Sequence, residues 1–129
     1  MNHEPYKIKL WIDDERVEPR GWLRSSDAAN SIQIINDYGE LLEAISFDHD
    51  IGSSGNGADV ASHLENLVKN EKIPTNLQFN IHSKNPGGIK DIKEILKRIL
   101  QSWSRDPSEI KYLTAQDIDF QKHPNRRKI

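Results

Sequence analysis

Three short apolar runs in this chain each stop abruptly on a polar cluster. Lys7-Ile8-Lys9-Leu10-Trp11-Ile12 alternates and ends at Asp13-Asp14-Glu15-Arg16. Leu41 to Phe47 ends at Asp48-His49-Asp50, and Leu77-Gln78-Phe79-Asn80-Ile81 ends at His82-Ser83-Lys84-Asn85. Short runs of this kind, two of them with clean period-two alternation, predict strands. Segments at helical spacing lie between and after them. Ala28, Ile32 and Ile35 share one stripe behind a cap at Ser25 or Ser26, with Gly39 as the stop. Val60, Leu64, Leu67 and Val68 form a second stripe that exits at Pro74. Ile89, Ile92, Leu96, Ile99 and Trp103 form a third, after Pro86-Gly87-Gly88. Strands that alternate with helices pair in parallel through right-handed crossovers, and ligands sit at the carboxyl ends of such strands. The three polar clusters are therefore expected to converge on one edge.

The connections agree with this reading. Val17 to Gly21, with Pro19 and Gly21, is a link rather than a helix, and Trp22-Leu23-Arg24 is a short strand. Ile51 to Gly57 is a glycine- and serine-rich loop, and Ile110 to Leu113 is one further strand. The basic tail Gln121 to Ile129 reads as a solvated terminus. With 129 residues the chain has room for one compact domain. Its expected organisation is an α/β domain over 1–104 and a C-terminal extension over 105–129.

Composition narrows the chemistry. The chain has no cysteine, which excludes a thiolate nucleophile and a zinc–thiolate site. No stretch approaches the roughly 20 apolar residues of a membrane span, and no secretory leader is visible, so a soluble cytoplasmic protein is expected. With 18 basic and 20 acidic side chains, no global field favours DNA or a membrane. Any affinity for phosphate must be local.

At the shared edge, Asp13, Asp14, Asp48 and Asp50 would repel one another. One aspartate at a strand end is as often a turn cap, but a cluster asks for a counter-ion, and carboxylates suit Mg²⁺ or Mn²⁺. His49 and His82 add groups that move protons near neutral pH. His82 shares a strand face with Gln78 and Asn80 rather than with Phe79 and Ile81, so it is not obviously a core residue. His3, His63 and His123 read as surface residues. Ser83, Lys84 and the amides from Asn85 into the next helix offer a phosphate site. Arg16 is either a second phosphate clamp or a surface ion pair with Glu15 or Glu18.

These residues resemble a family. Paired acids after a first strand (Asp13, Asp14), an aspartate ending a later strand (Asp48) and a serine after the next (Ser83) are similar to a response-regulator receiver domain. Leu10-Trp11-Ile12-Asp13-Asp14-Glu15-Arg16, Phe47-Asp48-His49-Asp50-Ile51-Gly52 and His82-Ser83-Lys84-Asn85-Pro86 more closely resemble the cyclic-phosphate-processing receiver domain of bacteria and phages. The likeness runs from about Lys7 to about Trp103. It implies a receiver-like (flavodoxin-like) layered fold with a mostly parallel sheet of four or five strands, here without the first receiver helix. It also implies a role in processing cyclic phosphates such as 2′,3′-cyclic RNA ends.

The chain departs from ordinary receivers after Asp48, where His49-Asp50 replaces the usual apolar-proline turn. It also departs after Ile110 to Leu113, where Thr114-Ala115 stands and the nearest substitute for the receiver lysine is Lys84. Both departures argue against an aspartyl-phosphate switch. The resulting expectation is a metal-dependent cyclic phosphoesterase, with a nucleotide or RNA end as partner. Asp13, Asp14, Asp48 and Asp50 would hold the ion, His49, His82 and Asp48 would be catalytic, and Arg16, Ser83, Lys84 and Asn85 would bind phosphate. The alternatives are a nucleotide sensor that does not turn its ligand over, and a protein-interaction module, such as a phage factor acting on a host protein.

Overall fold

The computed structural model describes residues 7–52, 54–70 and 72–114. Five strands, β1 (Ile8–Ile12), β2 (Leu23–Ser25), β3 (Leu42–Phe47), β4 (Gln78–Ile81) and β5 (Lys111–Tyr112), form one sheet in the order β2-β1-β3-β4-β5. Every pair is parallel. Three helices, α1 (Ala28–Tyr38), α2 (Gly57–Val68) and α3 (Pro86–Ser102), join β2 to β3, β3 to β4 and β4 to β5. No helix stands between β1 and β2; a turn closed by Trp22 N donating to Pro19 O, with Gly21 at φ +88°, makes that link. The tail at 121–129 and the histidines at 3 and 123 lie outside the described residues.

From β2 onward each crossover moves the chain the same way across the sheet, so right-handedness puts α1, α2 and α3 on one face. The core agrees. Leu10, Ile12, Ile45, Phe47, Phe79 and Ile81 pack against Ala28, Ile35, Val60, Leu64, Ile92 and Leu96. Alternate residues give the other face: Lys9 and Trp11 on β1, Ala44 and Ser46 on β3, Gln78 and Asn80 on β4, and Lys111 on β5. No α-helix among the described residues covers that face. Trp11 is nevertheless fully buried, with Trp22 packed edge-on against it at 5.8 Å.

Caps set the helix starts. Asp27, not Ser25 or Ser26, caps α1: its Oδ1 accepts from Asn30 N at 2.7 Å. Ser25 is the last residue of β2, and its hydroxyl instead meets Ser31 Oγ at 2.7 Å. Asn56 and Asp59 form a reciprocal capping box at α2. Asn85 caps α3 through Gly88 N, with Pro86 in the first turn, where a missing amide proton costs nothing. No helix among the described residues is long and apolar enough to cross a membrane.

Candidate functional site

Register assembles the site. Ile12, Phe47 and Ile81 are lateral partners on β1, β3 and β4. The ladder runs one residue further: Asp13 N donates to Ser25 O (3.0 Å), Asp48 N to Ile12 O (3.1 Å) and His82 N to Phe47 O (2.9 Å). Asp13, Asp48 and His82 therefore stand side by side at the carboxyl edge, on the helix-free face. Each offers a ligand atom, and these atoms all lie within 4.8 Å of one another, close enough for a single metal ion.

Asp13 is fully buried. Its Oδ1 accepts from the amides of Glu15 (2.8 Å) and Arg16 (2.9 Å). Its Oδ2 lies 3.2 Å from His82 Nε2 and 3.6 Å from Arg16 Nη1. Arg16 is thus paired with Asp13 rather than with Glu15 or Glu18, and it lines the cleft. It turns inward, and Nη1 also donates to His82 O at 3.1 Å.

His82 occupies the strand face expected of it, opposite the apolar core, yet it is only 1% exposed. Its ring stacks on Trp11 at 3.8 Å with an interplanar angle of 5°, and its Nδ1 meets Ser46 Oγ at 2.7 Å. Asp13, His82 and Ser46 form a buried chain, but a serine without exposure cannot reach a substrate as a nucleophile.

Asp48 is half-buried, and its Oδ1 accepts from His49 N at 2.8 Å. His49 Nδ1 lies 2.8 Å from Asp50 Oδ1. The His49 ring rests on Gly88, where any side chain would collide with it.

One cleft of about 190 Å³ is lined by Asp13, Asp14, Glu15, Arg16, Asp48, Asp50 and Lys84. His82 adjoins it through Asp13, and His49 through Asp48 and Asp50. Ser83 and Asn85 turn to local tasks: Ser83 Oγ accepts from Asn85 N at 3.0 Å, and Asn85 caps α3 while its Nδ2 comes within 3.4 Å of Asp50. His63 is half-buried, with Nε2 2.7 Å from Asn36 Oδ1.

The model of the cyclic-phosphate processing receiver domain matches residues 8–98. The chain belongs to that family. Its fold is also similar to the signal receiver domain of a modulated diguanylate cyclase from Desulfovibrio desulfuricans G20, described as an example of alternate folding. There the TM-score is 0.53 at 12% identity, over 93% of this chain and 96% of that one. A fusion carrying the trimeric coiled coil of yeast Spc42 is similar over 81% of this chain and 85% of that one, with a TM-score of 0.50 and 13% identity. At such identities the likeness is one of fold. Comparison with curated proteins yields no significant match.

The carboxylates of this site are pushed in opposite directions. Burial raises Asp13, but the adjacent His82 and the amides of Arg16 and Glu15 outweigh it and hold the carboxyl below its ordinary range. Asp48 goes the other way: burial lifts it, and the charge of Asp13 adds to the lift against the pull of His82, the His49 amide and Ser83. Asp50, at the surface, is lowered by its bond to His49.

Beyond β5 the chain presents Leu113 and Thr114 where an ordinary receiver has its lysine, while Lys84 lines the cleft. Ser46 and Trp11, which hold His82, escaped the sequence reading. The usable clue was a hydroxyl inside a mostly apolar run, at an even spacing from Asp48.

Proposed function

We propose that this receiver binds a cyclic phosphate, as a 2′,3′-cyclic nucleotide or RNA end, in the cleft beside Asp13 and Asp48 and hydrolyses it with a divalent ion, Mg²⁺ or Mn²⁺. The observation that carries this reading is the meeting of Asp13, Asp48 and His82 within 4.8 Å at the ends of three adjacent strands. Family membership supplies the substrate class. A bound ion would neutralise phosphoryl charge and lower the pKa of a bound water.

The protein groups then divide the work. Asp13 and Asp48, with Asp14 and Asp50 at the rim, hold the ion. Arg16 and Lys84 place positive charge on the walls, against the phosphate oxygens. The water oxygen bonds to phosphorus, one ribose P–O ester bond breaks, and the leaving oxygen takes a proton, giving a phosphomonoester. Asp50 beside Nδ1 leaves His49 Nε2 to carry that proton. A sensor reading draws on one observation: Asp13 Oδ1 accepts from two amides and Arg16 stands 3.6 Å from Oδ2, so the chain itself holds this carboxylate in place without turnover.

The test is incubation with 2′,3′-cyclic mononucleotides and cyclic-ended RNA, with Mg²⁺ and Mn²⁺ varied. Metal-dependent formation of the phosphomonoester supports hydrolysis. Calorimetric binding with ligand recovered unchanged supports the sensor. Neither binding nor turnover across the panel defeats both.

A further inference from the structure

We propose that the metal centre is a mixed nitrogen–oxygen site, with His82 Nε2 as a ligand beside Asp13 and Asp48 and Ser46 as the residue that positions the ring. On this account the site selects a first-row transition ion such as Mn²⁺ or Zn²⁺ over Mg²⁺. This rests on the metal half of the function proposed above and deepens it.

Two buried atoms carry the inference. His82 Nε2 and Asp13 Oδ2 are both buried, and neither has a hydrogen-bond partner. They face each other at 3.2 Å. Two cis ligands, each about 2.1 Å from a six-coordinate ion, lie about 3 Å apart. The spacing is therefore that of two donors aimed at one ion, and Asp48 supplies the third within 4.8 Å.

The ring is set up for this. Trp11 fixes its plane by stacking at 3.8 Å. Ser46 Oγ stands at the other ring nitrogen, where it can accept a hydrogen bond. With Nδ1 2.7 Å from Ser46 Oγ, an Nδ1–H donated to the hydroxyl leaves the Nε2 lone pair directed at the carboxylates. Register makes the contact, because Ser46 is two residues before Asp48 on β3 and pairs with Asn80, two residues before His82.

Imidazole in the ligand set decides the metal. Magnesium favours oxygen donors and keeps its waters, whereas manganese, iron and zinc accept imidazole beside carboxylates.

The experiment uses the full chain, stripped with chelator and titrated with each metal alone. Histidine ¹⁵N NMR of the wild type is read before and after Zn²⁺, and Mn²⁺ binding is followed by EPR with Mg²⁺ as competitor. The expected results are the Nδ1–H tautomer at His82, a large Nε2 shift with Zn²⁺, and Mn²⁺ affinity at least about tenfold above that of Mg²⁺. Ser46→Ala should weaken Mn²⁺ binding about 10- to 100-fold, and Ser46→Thr should restore much of it.

A His82 Nε2 resonance untouched by Zn²⁺, or equal affinity for Mg²⁺ and Mn²⁺, overturns the proposal and makes the Asp13–His82 contact a structural strut. The wild-type spectra decide this even if Ser46→Ala fails to fold. Turnover supported by Mg²⁺ with His82 unaffected would sink this inference and leave the proposed function standing. Metal bound through His82 without cyclic-phosphate turnover would do the reverse.

Discussion

Gly88, in the first turn of α3, lies so close to the His49 side chain that a Cβ would overlap its Cβ and the ring atoms Cγ and Cδ2. The glycine is therefore required by its neighbour and not by its own backbone, which is helical.

Gly88→Ala separates two effects. Helix propensity alone would favour alanine by about 1 kcal/mol. The collision works against it, since overpacking typically costs about 1–3 kcal/mol and His49 must move away from Asp50. Net destabilisation by thermal melting, with a change in the His49 NMR resonances, is the expected outcome. A more stable variant with His49 unmoved would show that the contact is looser than it stands here.

Much of this arrangement was legible in the chain itself. Each apolar run ended in polar residues, which put the clusters that begin at Asp13, Asp48 and His82 at equivalent strand ends before any register was known. Departures arose where tertiary contacts override local pattern. Asp27 outcompetes Ser25 as a cap because Ser25 is committed to β2. His82 lies on the polar face, as its spacing says, yet it is buried because Trp11 spans to it across the small Ser46, a pairing two strands wide that no local period reveals. Arg16 turned inward for a similar reason: the buried charge on Asp13 attracts it more than exposed Glu15 or half-buried Glu18.

Asp48 is a liability to the metal-free fold. Burial and then the charge of Asp13 raise its pKa, so the folded state binds its proton more tightly than the unfolded chain does. Stability therefore falls as pH rises from the unfolded value through the raised folded one, and the cost stays in full above it. Asp48→Asn should stabilise the chain at neutral pH in chelator by about 1 kcal/mol, the usual scale for relieving a functional-site charge. Adding Mn²⁺ should reverse the order, raising the Tm of the wild type and not that of the variant. Equal melting temperatures in chelator would remove the repulsion from the account.

Asp13 has the opposite sign. Its folded pKa is lowered, so its contribution is present above the unfolded value near 4 and is lost as pH falls through the folded value. Asp13→Asn strips one partner from a buried contact with His82 and Arg16, a change that costs about 3 kcal/mol at neutral pH. Urea unfolding at a series of pH values should show this gap narrowing in acid, where the wild-type carboxyl is itself protonated. A gap that holds constant down to acid pH would mean the carboxylate charge is not what the fold uses.

Arg16 and Lys84 both bring positive charge to the cleft, but their anchoring differs. Lys84 is exposed, and Arg16 is tied to His82 O and to Asp13. Lys84→Ala should leave stability within about 0.5 kcal/mol, as surface changes usually do. If the cleft takes a phosphate, the same variant should raise KM for a 2′,3′-cyclic nucleotide about tenfold, equivalent to about 1.4 kcal/mol, and less at high salt because the exposed charge is screened. Arg16→Ala should lose affinity and also about 1–3 kcal/mol of stability, since it leaves a buried carboxylate oxygen with less compensation. Steady-state kinetics and urea unfolding on the two variants distinguish these cases. A Lys84→Ala variant with unchanged KM at low salt would move the phosphate away from this wall of the cleft and toward the amides that lead into α3.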